Sequence, residues 1–226
     1  MRPILLSLLA CGFATHTLAA GEDAQRLKAA GETLQEIMGA ADKGIPSTLF
    51  RKAQCVIVIP SMKKGGFIFS GKYGRGYASC RKKSGGWTNP AGMRIEGGGF
   101  GLQIGGSETD LILLVMSKKG MNGLLASKFT LGAEASGAAG PVGRDTTAQT
   151  DATMRADILS WSRSRGIFGG LSLQGGTLRP DNDANQGLYG RKVTSKEILT
   201  GQFTGMPPSN TFRQELNRYG GSTAAK

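Results

Sequence analysis

Between Cys55 and Gly190 the chain is a succession of short apolar runs cut apart by glycine, and no long helical segment alternates with them. Cys55-Val56-Ile57-Val58-Ile59 is β-branched and apolar and is followed by Pro60, the pattern of a buried strand that stops at the proline. Gly66 to Ser70, Gly76 to Cys80, Phe100 to Ile104, Thr109 to Met116 and Leu171 to Gln174 read as further strands. Phe129 to Ala139 reads as a strand of small residues that lets another backbone come close. A parallel doubly wound sheet needs a helix between successive strands, so this spacing argues against one. It predicts an α+β domain built on a curved antiparallel sheet or partial β-barrel with peripheral helices. The 226 residues suit one domain with small extensions, and 36 of them are glycine.

An amphipathic helix is expected ahead of the sheet. Leu27, Leu34, Ile37, Met38 and Ala41 recur at helical spacing over residues 22–43, and Gly44 stops the pattern. Pro46 suits the first turn of a short helix through Leu49 and Phe50. Trp87 and Pro90 fall on a turn-rich link, residues 121–127 on a helical turn, and Met154 to Arg163 on a short helix or a strand. Thr194 with Glu197 three residues on forms a capping-box pattern, which Thr211 and Gln214 repeat before a frayed tail at 220–226.

The first twenty residues read as a secretory signal peptide. Arg2 precedes an apolar stretch of Ile4, Leu5, Leu6, Leu8 and Leu9, and small residues at Ala19 and Ala20 offer a cleavage site. Leu8-Leu9-Ala10-Cys11 is similar to a lipobox, so lipidation at Cys11 is the second route. No later apolar run approaches the roughly 18 residues of a membrane span. The expected organisation is a signal peptide at 1–20, an amphipathic helix at 21–44, the main domain at 45–205, and a C-terminal helix and tail at 206–226. A periplasmic or secreted location permits a disulfide. Cys55 and Cys80 both sit in expected strands, and the sequence leaves open whether they are bridged.

Several chemistries are excluded. The only histidine is His16, inside the leader, which removes Ser-His-Asp and Cys-His nucleophilic sites and histidine-ligated zinc. Glu96, Glu108 and Asp110 offer carboxylates for glycosidic chemistry but read better as strand-end or loop side chains. The glycine-dense run Gly97 to Gly105 lacks dinucleotide or P-loop spacing. Asp181, Asp183 and Asn185 alternate as at the start of a calcium loop, but Gln186 and Lys192 stand where glycine and glutamate belong; a turn is the better reading. The chain is therefore expected to be no enzyme and to need no cofactor or metal.

What remains is charge. The formal net charge is +12, which favours anionic partners. Lys63, Lys64, Lys72, Arg75, Arg81, Lys82, Lys83, Lys118 and Lys119 fall at expected strand ends or turns. In a meander, alternate turns gather at one end, where these cations would form one patch. Each contributes about 1 kcal/mol near an anionic bilayer, screened by salt. A set of solvated lysines that protects sheet edges is the competing reading. Few aromatics and no nucleic-acid-binding module are present, so nucleic acid is not an expected partner.

The ordered blocks Ile57-Val58-Ile59-Pro60, Lys64-Gly65-Gly66-Phe67, Gly71/Gly74/Gly76, Gly86-Trp87, Phe100-Gly101-Leu102-Gln103-Ile104-Gly105, Ala139-Gly140-Pro141-Val142-Gly143-Arg144, Ser160 to Gly170 and Leu188-Tyr189-Gly190 together resemble the SYLF-domain family, the yeast actin-patch-protein-like domain, in an exported bacterial-type form. The resemblance implies a non-enzymatic lipid-binding module, with phosphoinositide binding described for eukaryotic members and actin binding for some yeast ones. It also implies a membrane role for an amphipathic N-terminal helix in some relatives. On this reading the turn lysines and Arg144 contact headgroup phosphates, and Phe67, Phe69 or Phe168 adds apolar contact. The leader makes an actin role unexpected. The alternative is a structural or protein-interaction module of the cell envelope with an envelope protein as its partner.

Overall fold

The computed structural model describes residues 14–40, 44–66, 69–100, 105–139, 155–164, 167–169 and 176–221. Helix α1 (Ala14–Gly39) and the short α2 (Ser47–Lys52) lead into one long antiparallel hairpin, β1 (Cys55–Gly66) with β2 (Phe69–Cys80). The strands β3 (Ala91–Phe100) and β4 (Gly105–Val115) flank it, β3 on β2 and β4 on β1. Next come α3 (Lys118–Leu124), β5 (Phe129–Thr130), β6 (Gly137–Ala139), β7 (Ile158–Ser164), β8 (Ile167–Gly169) and β9 (Thr177–Pro180). Helices α4 (Asn182–Tyr189), α5 (Ser195–Leu199) and α6 (Thr211–Gly220) complete the described residues.

The strands form one curled, half-barrel sheet in the order β5-β9-β3-β2-β1-β4-β7-β6, with β8 added to β7. The fold is α+β, as expected. Among the described strands the pairings are antiparallel except β6 on β7, which is parallel.

Both faces of the central strands are buried, which explains why residues 55–59 and 111–115 are unbroken apolar runs. On one face Ile57, Ile59, Leu111 and Leu113 pack with Ile198 and Leu199 of α5 and with Phe129 and Leu131. On the other, Val56, Val58, Tyr77, Ile112, Leu114 and Trp161 pack with Leu27, Leu34 and Ile37 of α1, Phe50 of α2, Leu188 of α4, and Phe212 and Leu216 of α6. These are the α5 face and the α1 face. The apolar stripe of α1 is therefore core, with Leu27, Leu34 and Ile37 at most 1% exposed. The helix begins at Ala14, inside the segment read as a leader, and ends at Gly39.

Pro60 does not end the first strand. The ladder absorbs it in a bulge between Val58 and Lys63, where Ser61 has φ +47°. The bulge brings β1 onto Gly74 and Gly76: a Cβ on Gly76 would lie 2.0 Å from the Val58 carbonyl oxygen, and one on Gly74 2.6 Å from Ile59. β1 thereby continues to Gly66 and carries Lys63 and Lys64 within the sheet.

Other boundaries also shift. The strand β3 (Ala91–Phe100) falls where no strand was expected, and residues 101–104 of the expected Phe100 to Ile104 strand lie outside the described residues. Phe129 to Ala139 divides into β5, a Leu131–Ala135 bridge and β6. Of the Met154 to Arg163 segment, the part from Ile158 onward is the strand β7. Helix α3 starts at Lys118 because the Ser117 hydroxyl accepts from the Gly120 amide at 3.0 Å. The Thr194–Glu197 capping box is present, whereas α6 begins at Thr211 behind Asn210 with no side-chain cap. The calcium-loop-like segment is the start of α4, capped by Asp181. Leu171 to Gln174 lies outside the described residues.

Candidate anion-binding surfaces

The sheet register sorts the expected anion-binding residues into three groups. Lys63, Lys64 and Lys72 lie at the hairpin end, where Lys64 faces Lys72 across β1 and β2 and Lys63 faces Tyr73. Lys82 and Lys83 follow the other end of β2, and Lys118 and Lys119 follow the same end of β4. That end is tied across β1, since the Arg81 amide donates to the Gln54 carbonyl and the Gln54 amide to the Val115 carbonyl, each at 2.8 Å. A single patch does not form, because the β1–β2 hairpin turn and the strand exits are at opposite ends of a long ladder.

Arg75 and Arg81 form the third group, half-buried and engaged by other parts of the chain. The Arg75 guanidinium binds Asp181 at 2.5 Å and lies 3.9 Å from Asp23. The hydrogen bond to Asp181 raises its pKa further. Arg81 lies over Trp87 and donates to the carbonyls of Ala53 at 2.9 Å and Gly220 at 3.1 Å. Ala53 follows the end of α2 and Gly220 closes α6, so the cation sits at the C-terminal ends of two helices, where the dipoles are negative. Burial lowers the pKa of Arg81. Arg144 and Phe67 lie outside the described residues.

At the strand exits the register adds cations that sequence reasoning missed. Helix α2 ends in Arg51 and Lys52, both exposed, two residues before Gln54. Arg51, Lys52, Lys82, Lys83, Lys118 and Lys119 are all exposed and together form a basic rim. The chain leaves β2 and β4 on either side of β1, roughly 10 Å apart at ordinary strand spacing. The carboxylate beside this rim is Asp157, 4.0 Å from the Lys119 ammonium. It accepts from the Ser117 hydroxyl and from the Ser136 amide and hydroxyl, each Ser136 bond at 2.9 Å. Burial opposes its ionisation, but these hydrogen bonds outweigh it and hold the carboxyl below its ordinary range. The signal for Arg51 and Lys52 was present in the sequence, but as the end of a short helix and not as a turn.

Two of the three carboxylates weighed for catalysis, Asp110 and Glu96, have structural partners. Asp110 accepts from Arg163 at 2.6 Å, and Arg163 also pairs with Glu36 of α1. Glu96 pairs with Arg94 at 2.7 Å and Arg179 at 3.3 Å, and Glu108 is exposed. A cleft of about 360 Å³ lies between α1 and the sheet, where Glu22, Asp23 and Asp183 meet Arg94 and the Arg75–Asp181 pair. Burial raises the pKa of Asp23 there, and Arg75 and Arg26 offset part of the rise. Among the described residues no group of three or more acidic, histidine or cysteine side chains is placed to hold a metal ion.

Residues 96–219 match the family model Ysc84, described as a Las17-binding protein actin regulator. The chain belongs to the Ysc84 (SYLF) family. The Ysc84 relatives include Protein YSC84 of Saccharomyces cerevisiae, 33% identical over 174 residues that make up 75% of this chain and 36% of the yeast protein. An SH3 domain-containing protein of Schizosaccharomyces pombe is 33% identical over 78% of this chain and 42% of its own length. An SH3 domain-containing YSC84-like protein of Xenopus laevis is 31% identical over 71% of this chain and 48% of its own. The chain thus spans less than half the length of these relatives. The blocks that carried the resemblance have structural work to do. Gly74 and Gly76 receive the β1 bulge, Trp87 carries Arg81, and Trp161 is buried on β7 under α1. Ala139 marks the limit of description for the Gly140 to Arg144 block.

Proposed function

We propose that this Ysc84-family chain is a non-enzymatic module that docks on anionic phospholipid surfaces in an exported, periplasmic or secreted setting. The observation that carries the reading is the basic rim: six exposed cations on α2, the β2 exit and α3 converge at one end of the sheet. At about 1 kcal/mol per basic residue near an anionic bilayer, the rim supplies useful binding at moderate salt. The Cys55–Cys80 disulfide supports an oxidising compartment, as do the leader-like first twenty residues. The ion-paired Asp110 and Glu96 and the exposed Glu108 favour binding over hydrolysis.

Co-sedimentation with vesicles tests it. The protein is expected to bind phosphatidylcholine vesicles that contain phosphatidylglycerol, and not phosphatidylcholine alone. Changing Lys82, Lys83, Lys118 and Lys119 to Gln should weaken binding at least tenfold. Equal binding by that variant, or no binding to either vesicle, overturns the rim.

A second reading rests on the relatives: the matching family is described as Las17-binding and an actin regulator, which favours a protein partner. On that reading the rim is a solvated surface, vesicles do not bind, and one envelope protein is captured by the mature chain and not by the rim variant.

A further inference from the structure

The cleft between α1 and the sheet carries an inference independent of the rim. Side chains alternate along a strand, so Tyr73 and Arg75 of β2 share the α1 face with the buried Tyr77. Arg94 and Glu96 of β3 and Arg179 of β9 lie on the same face, since Ile95 and Leu178 are buried on the other. The register sets Arg75 opposite Arg94, and Arg94 opposite Arg179. Like charges directly opposite each other destabilise a sheet, and these three guanidiniums are compensated unequally. Asp181 takes Arg75 at 2.5 Å. Asp23, 3.9 Å from Arg75, is already held by Arg26 at 2.6 Å. Arg94 and Arg179 share the single carboxylate of Glu96, at 2.7 and 3.3 Å. A surplus of positive charge therefore stays on the sheet side, and Arg94 carries it into the cleft.

The helix side has the opposite surplus. Glu22 of α1 and Asp183 in the first turn of α4 are exposed and line the cleft. Neither is in an ion pair among the described residues. Between these charges the ring of Tyr73, 49% exposed, gives the cleft an apolar wall. Further outward on the same face comes the row Gly98–Gly71–Gly65–Gly106, which has no side chains, so the sheet leaves the Tyr73 end open. The volume of about 360 Å³ is that of a small-molecule site.

We propose that this cleft binds a free diamino acid. The ligand's two ammoniums meet Glu22 and Asp183, its carboxylate meets Arg94, and its methylene chain lies along Tyr73. Each charge left over in the cleft then gains an opposite one through charge-assisted hydrogen bonds. The rim attracts any anionic surface, whereas this site selects two cations and one anion on a single short chain.

Titration of the ¹⁵N-labelled protein with lysine, followed by amide shifts, tests the site. Two further probes each lack one charged group: cadaverine has both ammoniums and no carboxylate, and norleucine has no side-chain ammonium. Saturable shifts with lysine are expected at Glu22, Tyr73, Arg94 and Asp183, with cadaverine and norleucine each bound at least tenfold more weakly. Glu22→Gln/Asp183→Asn, at two exposed positions, should weaken lysine binding at least tenfold. Arg94→Gln should weaken lysine binding and leave cadaverine binding unchanged, a split that general loss of structure does not give. No saturable shift with lysine, shifts confined to other regions, or cadaverine or norleucine bound as tightly as lysine overturns the site. So does parent-like lysine affinity in a folded Glu22→Gln/Asp183→Asn protein. The rim is read with vesicles and the cleft with soluble probes, so either one failing leaves the other standing.

Discussion

The guanidinium of Arg81 lies over the ring of Trp87, 4.3 Å from its centroid, and from there reaches the carbonyls of Ala53, just after α2, and Gly220, the last residue of α6. One side chain thus joins the end of β2 to α2 and α6. Arg81→Met should cost about 3 kcal/mol, since hydrogen bonds to a charged group contribute about 1.5–3 kcal/mol each and the orphaned carbonyls recover part of this from water. Arg81→Lys should recover little, because an ammonium lacks the planar fork that serves several carbonyls at once. Urea denaturation of the three proteins measures this, and parent-like stability of Arg81→Met would count against the joint.

Gly76 and Gly71 predict opposite outcomes for the same substitution. A Cβ at Gly76 would lie 2.0 Å from a backbone carbonyl oxygen of the bulge, while one at Gly71 meets only the Gly65 oxygen at 4.0 Å. Gly76→Ala should therefore cost more than about 3 kcal/mol, in the range of severe steric substitutions. Gly71→Ala should stay within about 0.5 kcal/mol. Chemical denaturation of the pair separates a steric requirement from a general preference for glycine in these strands.

Asp157 gives a pH dependence with a definite sign. Its pKa is lowered in the folded protein, so its contribution is full above the unfolded carboxyl value and is lost as pH falls through the folded one. Asp157→Asn should cost about 2 kcal/mol at neutral pH, the scale of hydrogen bonds to a charged acceptor. Its stability curve should meet that of the parent in acid, below the ordinary aspartate pKa of about 3.9. A constant gap at all pH values would show that the carboxylate charge is not what Ser117 and Ser136 bind.

The Cys55–Cys80 bond closes a loop with a sequence separation of 25. Its loss should lower stability by about 3 kcal/mol through the freer unfolded chain. The hairpin register that places the two residues opposite each other should survive in Cys55→Ala/Cys80→Ala, and amide exchange on β1 and β2 tests that.

Local signals were legible in the sequence. Thr194 and Glu197 cap α5 because both halves of the interaction lie within one turn, and residues 55–59 and 111–115 betray strands because both of their faces are core. The start of β3 was hidden, since glycines at 97–99 blur the alternation that would have marked it. Helix α4 was hidden by Asp181, whose capping role looks the same in a turn. The site was less legible because it depends on pairing. Nothing local distinguishes Arg81, stacked and half-buried, from Lys82 beside it in solvent. Lys64 and Lys72 meet only because β1 runs through Pro60 and returns in register.

The row Gly98–Gly71–Gly65–Gly106 has a mechanical consequence. Cross-strand side-chain contacts supply much of the resistance of a sheet to bending, and along this line backbone hydrogen bonds are all that join four strands. Around Ile57 and Leu113, by contrast, the ladder is held between packed side chains on both faces. The four strands therefore act as a stiff beam ending in a compliant blade, whose amide protons should be the first in the sheet to exchange with solvent.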